Sequence, residues 1–330
     1  MPHKITFLPD ESSFECQHQE TILESALRSG RSPNYGCSNG NCGNCKGKLL
    51  EGEVEPIRNF DYQLSSQEKA EAIFLMCCHS AKSDLTIEVK TAHEHTDIPI
   101  QTTTAKIKKI HTDSTGMMLI PLQTPRTGTL RFLAGQTIEL LAATGSLGHY
   151  YVGSCPCDDR NLLLHIPATS TIKLIDEAVV AKEYFKSGLQ ITIHGPQGDF
   201  TLEETPPRPA LIIAEEHAFA AAKSLIEHAI ALEYEQPLTL VRFNHNEKPY
   251  LHNLCRSWND ALDDFNYICV QTNNTSDSIT AEFTIIDLQT ILKQQSDSVI
   301  YITGTPAFCE EWKKNISPLA ENPIVKYATL

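Results

Sequence analysis

The sequence predicts an α+β multidomain chain: a small cysteine-bearing α+β unit, an antiparallel β-barrel, and an α/β module built on a parallel sheet. Three observations predict it. Five of the eleven cysteines (Cys37, Cys42, Cys45, Cys77 and Cys78) crowd into one stretch near the start of the chain. Apolar runs between residues 105 and 204 are short and strand-like. From Ala210 onward, continuous apolar strands alternate with helical patterns, which argues for a doubly wound parallel sheet. A length of 330 residues accommodates two or three such domains.

Residues 1–92 form the first predicted domain. KITFL and Ser13–Cys16 read as strands, and Ile22, Leu23, Ala26 and Leu27 lie at helical spacing before Gly30 ends the helix. A loop rich in Asn, Gly and Cys runs from Pro33 to Cys45, and KGKLLEGEVE leaves it as one strand. A short helix near Ser66–Ala72, the segment FLMCC and the strand LTIEV complete the unit. Residues 93–104 are polar and aperiodic, and read as a linker.

The second domain, 105–204, carries the strands AKIKKI, MMLIPL, TIELLA, HYYVG, LLLHI and LQITIH, with one helical stretch at Leu174–Phe185. Thr205-Pro206-Pro207 marks the next boundary. The third domain, 208–330, alternates strands (ALIIA, LTLVRF, YICV, VIYITG) with helices, the last at Ala307–Ile316.

Composition narrows the partners. Hydrophobic residues at 41% and charged residues at 21% rule out wholesale disorder. A net charge of -14 opposes phosphate backbones and anionic lipid, so neither nucleic acid nor membrane is an expected partner. No apolar run approaches the roughly 20 residues a membrane span needs. MPHKITFLPD lacks the apolar stretch of a signal peptide, so a cytoplasmic location is expected.

Cysteine spacing carries the chemistry. Cys37-Ser-Asn-Gly-Asn-Cys42-Gly-Asn-Cys45 is C-x4-C-x2-C, and further cysteines follow about thirty residues later. Four thiolates so spaced can hold a two-iron, two-sulfide cluster, with soft anionic sulfur stabilising ferric iron. Gly36, Gly40 and Gly43 let the backbone wrap closely and aim amide N–H groups at sulfur, which tunes the potential. Zinc instead favours paired C-x2–4-C knuckles, often with histidine. Cys77 and Cys78 both qualify as fourth ligand. Adjacent residues on a strand point to opposite sides, so one of them faces the cluster.

With these residues in hand, the chain resembles bacterial reductases that join a plant-type [2Fe-2S] ferredoxin domain of β-grasp fold to a ferredoxin–NADP-reductase-like module. That family supplies electrons to oxygenases or to dehydratases of deoxysugar synthesis. Leu75-Met76-Cys77 resembles its closing Leu-x-Cys, which selects Cys77 and implies the ligand set Cys37, Cys42, Cys45 and Cys77. Arg131-Phe-Leu-Ala-Gly-Gln136, the run Gly195-Pro196-Gln-Gly198-Asp199-Phe200, and Gly304-Thr-Pro306 resemble its turns.

The ligand-holding motifs depart from the family. Where it has Arg-x-Tyr-Ser for flavin, this chain has Gly148-His149-Tyr150-Tyr151, so the pyrophosphate loses its arginine. The resemblance leaves Tyr150, Thr169 and Ser170 as contacts for FAD. Where it has a glycine-rich turn for the pyridine nucleotide, this chain has Ala214-Glu215-Glu216-His217-Ala218, which argues against NAD(P)H. Acidic capping of a helix dipole accounts for both carboxylates. The leading expectation is therefore a one-electron carrier to a protein partner, such as an oxygenase or dehydratase, with the reductase-like module reduced in cofactor binding. The alternative is an active NAD(P)H-dependent FAD/[2Fe-2S] oxidoreductase. A redox or iron sensor ranks third. Cys155-Pro-Cys157 could be redox-active or bind metal, but two strand cysteines beside a turn proline are the plainer account. His93-x-His95 reads as solvated linker.

Overall fold

A computed structural model of the chain describes residues 2–143, 145–168, 185–203, 207–244, 249–271, 285–294, 297–316 and 324–329. Apolar alternation starts the first domain: Ile5 and Phe7 of β1 (His3–Leu8) are fully buried, and β2 (Ser12–Cys16) pairs with it antiparallel. Helix α1 (Ile22–Arg28) begins with a capping box. The Thr21 hydroxyl accepts the Glu24 N–H at 3.1 Å, and the Glu24 carboxylate accepts the Thr21 N–H at 3.2 Å. Its buried face carries Ile22, Leu23, Ala26 and Leu27.

The single strand expected over KGKLLEGEVE is two strands, β3 (Lys46–Glu51) and β4 (Val54–Pro56). Gly52 at φ +96 turns the chain between them, in backbone space that favours glycine. Helix α2 (Ser66–Ala70) and strands β5 (Ile73–Leu75), β6 (His79–Ala81) and β7 (Leu85–Glu88) follow. The main sheet runs β2-β1-β7-β3-β5 with β1 and β7 parallel, and β4 pairs separately with β6.

The second domain begins earlier than its pattern suggested. β8 spans Gln101–Ile107, so its first residues lie inside the stretch read as linker. Thr102 and Thr103 pair there with His194 and Ile193, because β-branched threonines suit a strand although polar. With β9 (His111–Thr112), β10 (Met117–Gln123), β11 (Thr137–Ala142), β12 (Gly145–Tyr151), β13 (Asn161–Pro167) and β14 (Gln190–Gln197), it forms an antiparallel sheet. The order is β12-β11-β14-β8-β10-β13, with β9 alongside β10. Its two ends meet where the Gly153 N–H donates to Leu163 O at 2.7 Å. The predicted helix Leu174–Phe185 lies outside the described residues except for Phe185, which is buried against the barrel core.

The third domain is a five-stranded parallel sheet: β15 (Ala210–Glu215), β16 (Leu238–Asn244), β17 (Phe265–Gln271), β18 (Val299–Gly304) and β19 (Val325–Thr329). Helices α3 (Phe219–Ala231), α4 (His252–Ala261), α5 (Ile285–Gln294) and α6 (Pro306–Ile316) accompany it. Alternate residues of β15 feed two cores. Ala210, Ile212 and Ala214 pack with α3, while Leu211 and Ile213 pack with Trp312 of α6. The order β17-β16-β15-β18-β19 reverses between β15 and β18, which places a topological switch point at their carboxyl ends. No described helix is long and apolar enough to cross a membrane.

Candidate iron–sulfur centre and reductase crevice

Glycines shape the cysteine loop. Gly40 (φ +82) and Gly43 (φ +74) adopt left-handed backbone, and a Cβ at Gly40 would press on Cys78 Sγ at 2.7 Å. The loop turns its amides inward. Asn41 N and Cys42 N donate to Cys37 Sγ at 3.3 and 3.2 Å, while Cys37 N and Asn44 N donate to Cys42 Sγ at 3.3 and 3.4 Å. Cys45 Sγ lies 3.0 Å from Cys77 Sγ. Among the described residues, no three His, Cys, Asp or Glu side chains close on a single-ion position. The sulfurs come instead as two pairs, Cys37 with Cys42 and Cys45 with Cys77, which suits a centre of two irons taking two thiolates each.

Protonation follows the surroundings. Burial works against a Cys37 thiolate, yet the N–H groups around it and the Cys42 side chain hold its pKa below the ordinary thiol value. Cys45 is pushed far up by its hydrogen bond to Cys77 and by burial. A bound metal ion reverses that balance, because a coordinating thiol loses its proton.

Cys77 and Cys78 sit in the turn after β5, not on a strand, and the Cys78 N–H donates to Leu75 O at 3.1 Å. The expectation of opposite-facing neighbours therefore fails: their sulfurs are 3.5 Å apart. What separates them is company. Cys77 pairs with Cys45, and Cys78 points toward Gly40 and Phe60.

The loop is tied directly to the barrel. Thr129 Oγ1 donates to Gly36 O at 3.3 Å, next to Cys37. Arg131 donates to Asn34 Oδ1 at 2.9 Å and to Ser32 O at 3.0 Å, with its guanidinium 6.0 Å from the Tyr35 ring centre. Burial lowers the Arg131 pKa. The sequence motif that marked Arg131 as a turn element gave no hint of this bridging role.

Across the barrel, Tyr150 donates its hydroxyl to Leu147 O at 2.7 Å and stands edge-on to Phe185. Tyr151 reaches the third domain, donating to Thr329 O at 3.2 Å. His149 is exposed on β12, and Thr169 and Ser170 lie outside the described residues. His93 pairs with Asp10 at 3.0 Å in a cleft of about 840 Å³ that Glu203 and Lys326 also line.

At the switch point, Glu215 Oε2 accepts the Thr305 N–H at 2.5 Å and would lie 2.9 Å from a Cβ on Gly304. Glu216, only 2% exposed, sits in a short 3-10 turn (Glu216–Ala218) leading into α3. Arg242, fully buried, stacks over Phe219 at 3.9 Å and Tyr250 at 4.6 Å and donates to Tyr250 O at 2.6 Å. Burial and then the Lys223 and Arg242 charges hold His165, 3.2 Å from the Tyr250 hydroxyl, well below its usual pKa. Sequence reasoning missed this buried group. An arginine inside the mostly apolar strand LTLVRF was the available signal.

A family model described as a 2Fe-2S iron-sulfur cluster binding domain matches residues 5–82, the span that holds all four paired cysteines. The chain is also similar in fold to a ferredoxin NADP+ reductase from Neisseria gonorrhoeae with bound FAD and NADP. That likeness has a TM-score of 0.55 at 16% identity, over 69% of this chain and 98% of the other. The chain joins a [2Fe-2S] ferredoxin domain to a ferredoxin–NADP-reductase-like fold. Its relatives are reductase components. The CDP-6-deoxy-L-threo-D-glycero-4-hexulose-3-dehydrase reductase of Yersinia pestis is 31% identical over 222 residues, 67% of this chain but only 65% of that protein. The terephthalate 1,2-dioxygenase reductase component 2 of a Comamonas species is 24% identical over 94% of this chain and 91% of its own length.

The ferredoxin domain fits its cluster: paired sulfurs, inward amides, and glycines whose absent side chains leave the space. The reductase-like half fits its ligands less well. Of the three residues expected to contact flavin, Tyr150 alone lies among the described residues, and its hydroxyl is bonded to Leu147 O. Glu215 also engages the N–H of Thr305 and lies beside Gly304, so a dinucleotide in the usual pose would meet its carboxylate.

Proposed function

We propose that the chain is the reductase component of a multi-protein oxidoreductase. It passes electrons singly through a [2Fe-2S] cluster on Cys37, Cys42, Cys45 and Cys77 to a separate oxygenase or deoxysugar dehydratase. One observation carries this reading: Thr129 and Arg131 of the barrel bind the backbone and side chains of Ser32–Gly36, immediately before the first ligand. Seating the cluster loop on the barrel makes a short path between the two halves, which a free-standing carrier does not need. In this reading FAD is the relay and NAD(P)H the donor, held by contacts other than a glycine cradle. The net charge of -14 favours an acceptor with a basic docking face. A cytoplasmic location keeps the thiolate ligands reduced.

Glu215 favours a second reading, in which the hydride-accepting chemistry is lost and electrons come from another reduced protein. Anaerobic titration separates the two. Protein purified with FAD, whose visible iron–sulfur bands bleach with NADH or NADPH, supports the first. Bands that bleach with dithionite but not with either nucleotide support the second. Reconstituted protein that stays colourless and gives no paramagnetic signal after dithionite sinks both.

A further inference from the structure

Cys155 and Cys157 are joined by a disulfide across Pro156, in the loop after β12 and not on a strand. The other cysteines recorded in the structure are all unbridged. A bridge between residues two apart restrains the unfolded chain little, since the entropic benefit of a disulfide grows with the loop it closes. Structural stapling therefore does not explain it.

Three features suit thiol chemistry. Cys157 is half-buried and can be reached, while Cys155 is 6% exposed. The Cys157 N–H donates to Cys155 Sγ at 3.2 Å, a contact that stabilises charge on that sulfur as it leaves. The loop itself is where all three domains meet. Lys223 Nζ and Ser224 Oγ of α3 donate to Gly153 O and Ser154 O, each at 2.8 Å. On the other side the Thr124 N–H donates to Arg160 O at 2.9 Å, at the start of the segment whose Thr129 and Arg131 hold the cluster loop, and the buried Asp159 has Tyr35 and Thr129 as its electrostatic neighbours.

We propose that Cys155 and Cys157 form a reversible thiol–disulfide site, opened by a dithiol through Cys157, whose state sets how firmly the 153–160 loop holds the cluster loop. A thiolate of the dithiol attacks Cys157 Sγ, the Cys155–Cys157 bond breaks, and Cys155 leaves as a thiolate that takes up a proton. The second thiol of the dithiol then attacks the mixed disulfide and releases Cys157. The dithiol ends as a disulfide, and the protein gains two electrons and two protons. An oxidised disulfide of the same class reverses the sequence. This site rests on the fold and not on the choice between the two functional readings.

The test uses folded, cluster-loaded protein with its visible spectrum monitored throughout. Samples are equilibrated anaerobically with reduced or oxidised dithiothreitol, alkylated with iodoacetamide, and the peptide spanning residues 155–157 is weighed. The expected result is two alkyl groups after reduction and none after oxidation, with the cluster bands retained. Amide hydrogen exchange at residues 34–37 should rise at least about fivefold on reduction. A Cys155→Ser/Cys157→Ser variant should show that raised exchange whether or not dithiol is present. Should this variant not fold, the wild-type exchange comparison decides alone. A bridge that yields only when the protein unfolds, or one that opens with exchange at 34–37 unchanged, overturns the proposal. Failure of the proposed reductase function would appear separately, as a cluster that neither nucleotide reduces.

Discussion

Glu215 stands at the crevice between β15 and β18, and replacing it with glycine should favour a dinucleotide there. In the wild-type chain its carboxylate accepts the Thr305 N–H at 2.5 Å, the first donor of the turn that starts α6. A dinucleotide phosphate seated there meets a negative charge and a donor already engaged. Like charges at about 4 Å repel by about 1 kcal/mol in bulk water and about 4 kcal/mol at the effective dielectric of a protein surface. Since about 1.4 kcal/mol is a factor of ten in affinity, Glu215 alone weakens binding by roughly 5-fold to 1,000-fold. Glu215→Gly removes the charge, frees the Thr305 N–H for phosphate, and restores the open backbone of a glycine turn. Calorimetric titration of cluster-loaded protein with NADH and NADPH measures the change. The glycine variant should bind at least about 5-fold tighter than wild type. Glu215→Gln, which keeps the bulk and the acceptor oxygen but not the charge, should fall between them. Wild-type affinity equal to that of the glycine variant would show that the carboxylate guards nothing.

Cys77→Ser should abolish the visible iron–sulfur bands while Cys78→Ser keeps them, because only Cys77 pairs with Cys45; iron and sulfide content after reconstitution checks both. Arg131→Ala should destabilise the seating of the ferredoxin domain by about 1.5–3 kcal/mol, the usual worth of hydrogen bonds from a charged donor, here the buried Arg131 guanidinium to Asn34 Oδ1 and Ser32 O. Faster proteolysis between residues 91 and 100 reports that loss. His165 stays neutral in the folded chain well below its usual pKa, so the unfolded state takes up its proton first as pH falls. Its contribution is therefore complete above the unfolded value of about 6.5 and is lost below it, at about 1.4 kcal/mol per pH unit. His165→Phe should remove about one proton from that slope between about pH 6 and 5, read from denaturant midpoints by the fluorescence of Trp258 and Trp312.

What the sequence disclosed and what it withheld divide along sequence distance. The cluster loop was legible because three of its sulfurs, its glycines and its amides lie within ten consecutive positions, where spacing alone fixes who can meet. The parallel sheet was legible for the same reason, as each strand and helix carries its own period. The β8 boundary was misplaced because Thr102 and Thr103 look polar alone and become strand residues only opposite β14. The turn at Cys77 and Cys78 was misread as a strand because FLMCC is apolar throughout, and periodicity cannot separate a short strand from a buried turn.

The contacts that decide function all join distant segments: Thr129 to Gly36, Arg131 to Asn34, Glu215 to Thr305, Lys223 to Gly153. None leaves a local pattern. Three of them bear on the proposed function, two in one direction and one in the other. The bonds from Thr129 and Arg131 seat the cluster loop on the barrel, as the proposed electron path requires, and the one from Glu215 sets a carboxylate where a nucleotide phosphate would rest. A reductase with both would keep its outlet and restrict its inlet, which the Glu215→Gly titration tests. The electron supply, not the delivery to the acceptor, is then the step on which this chain differs most from the glycine-turn pattern it resembles.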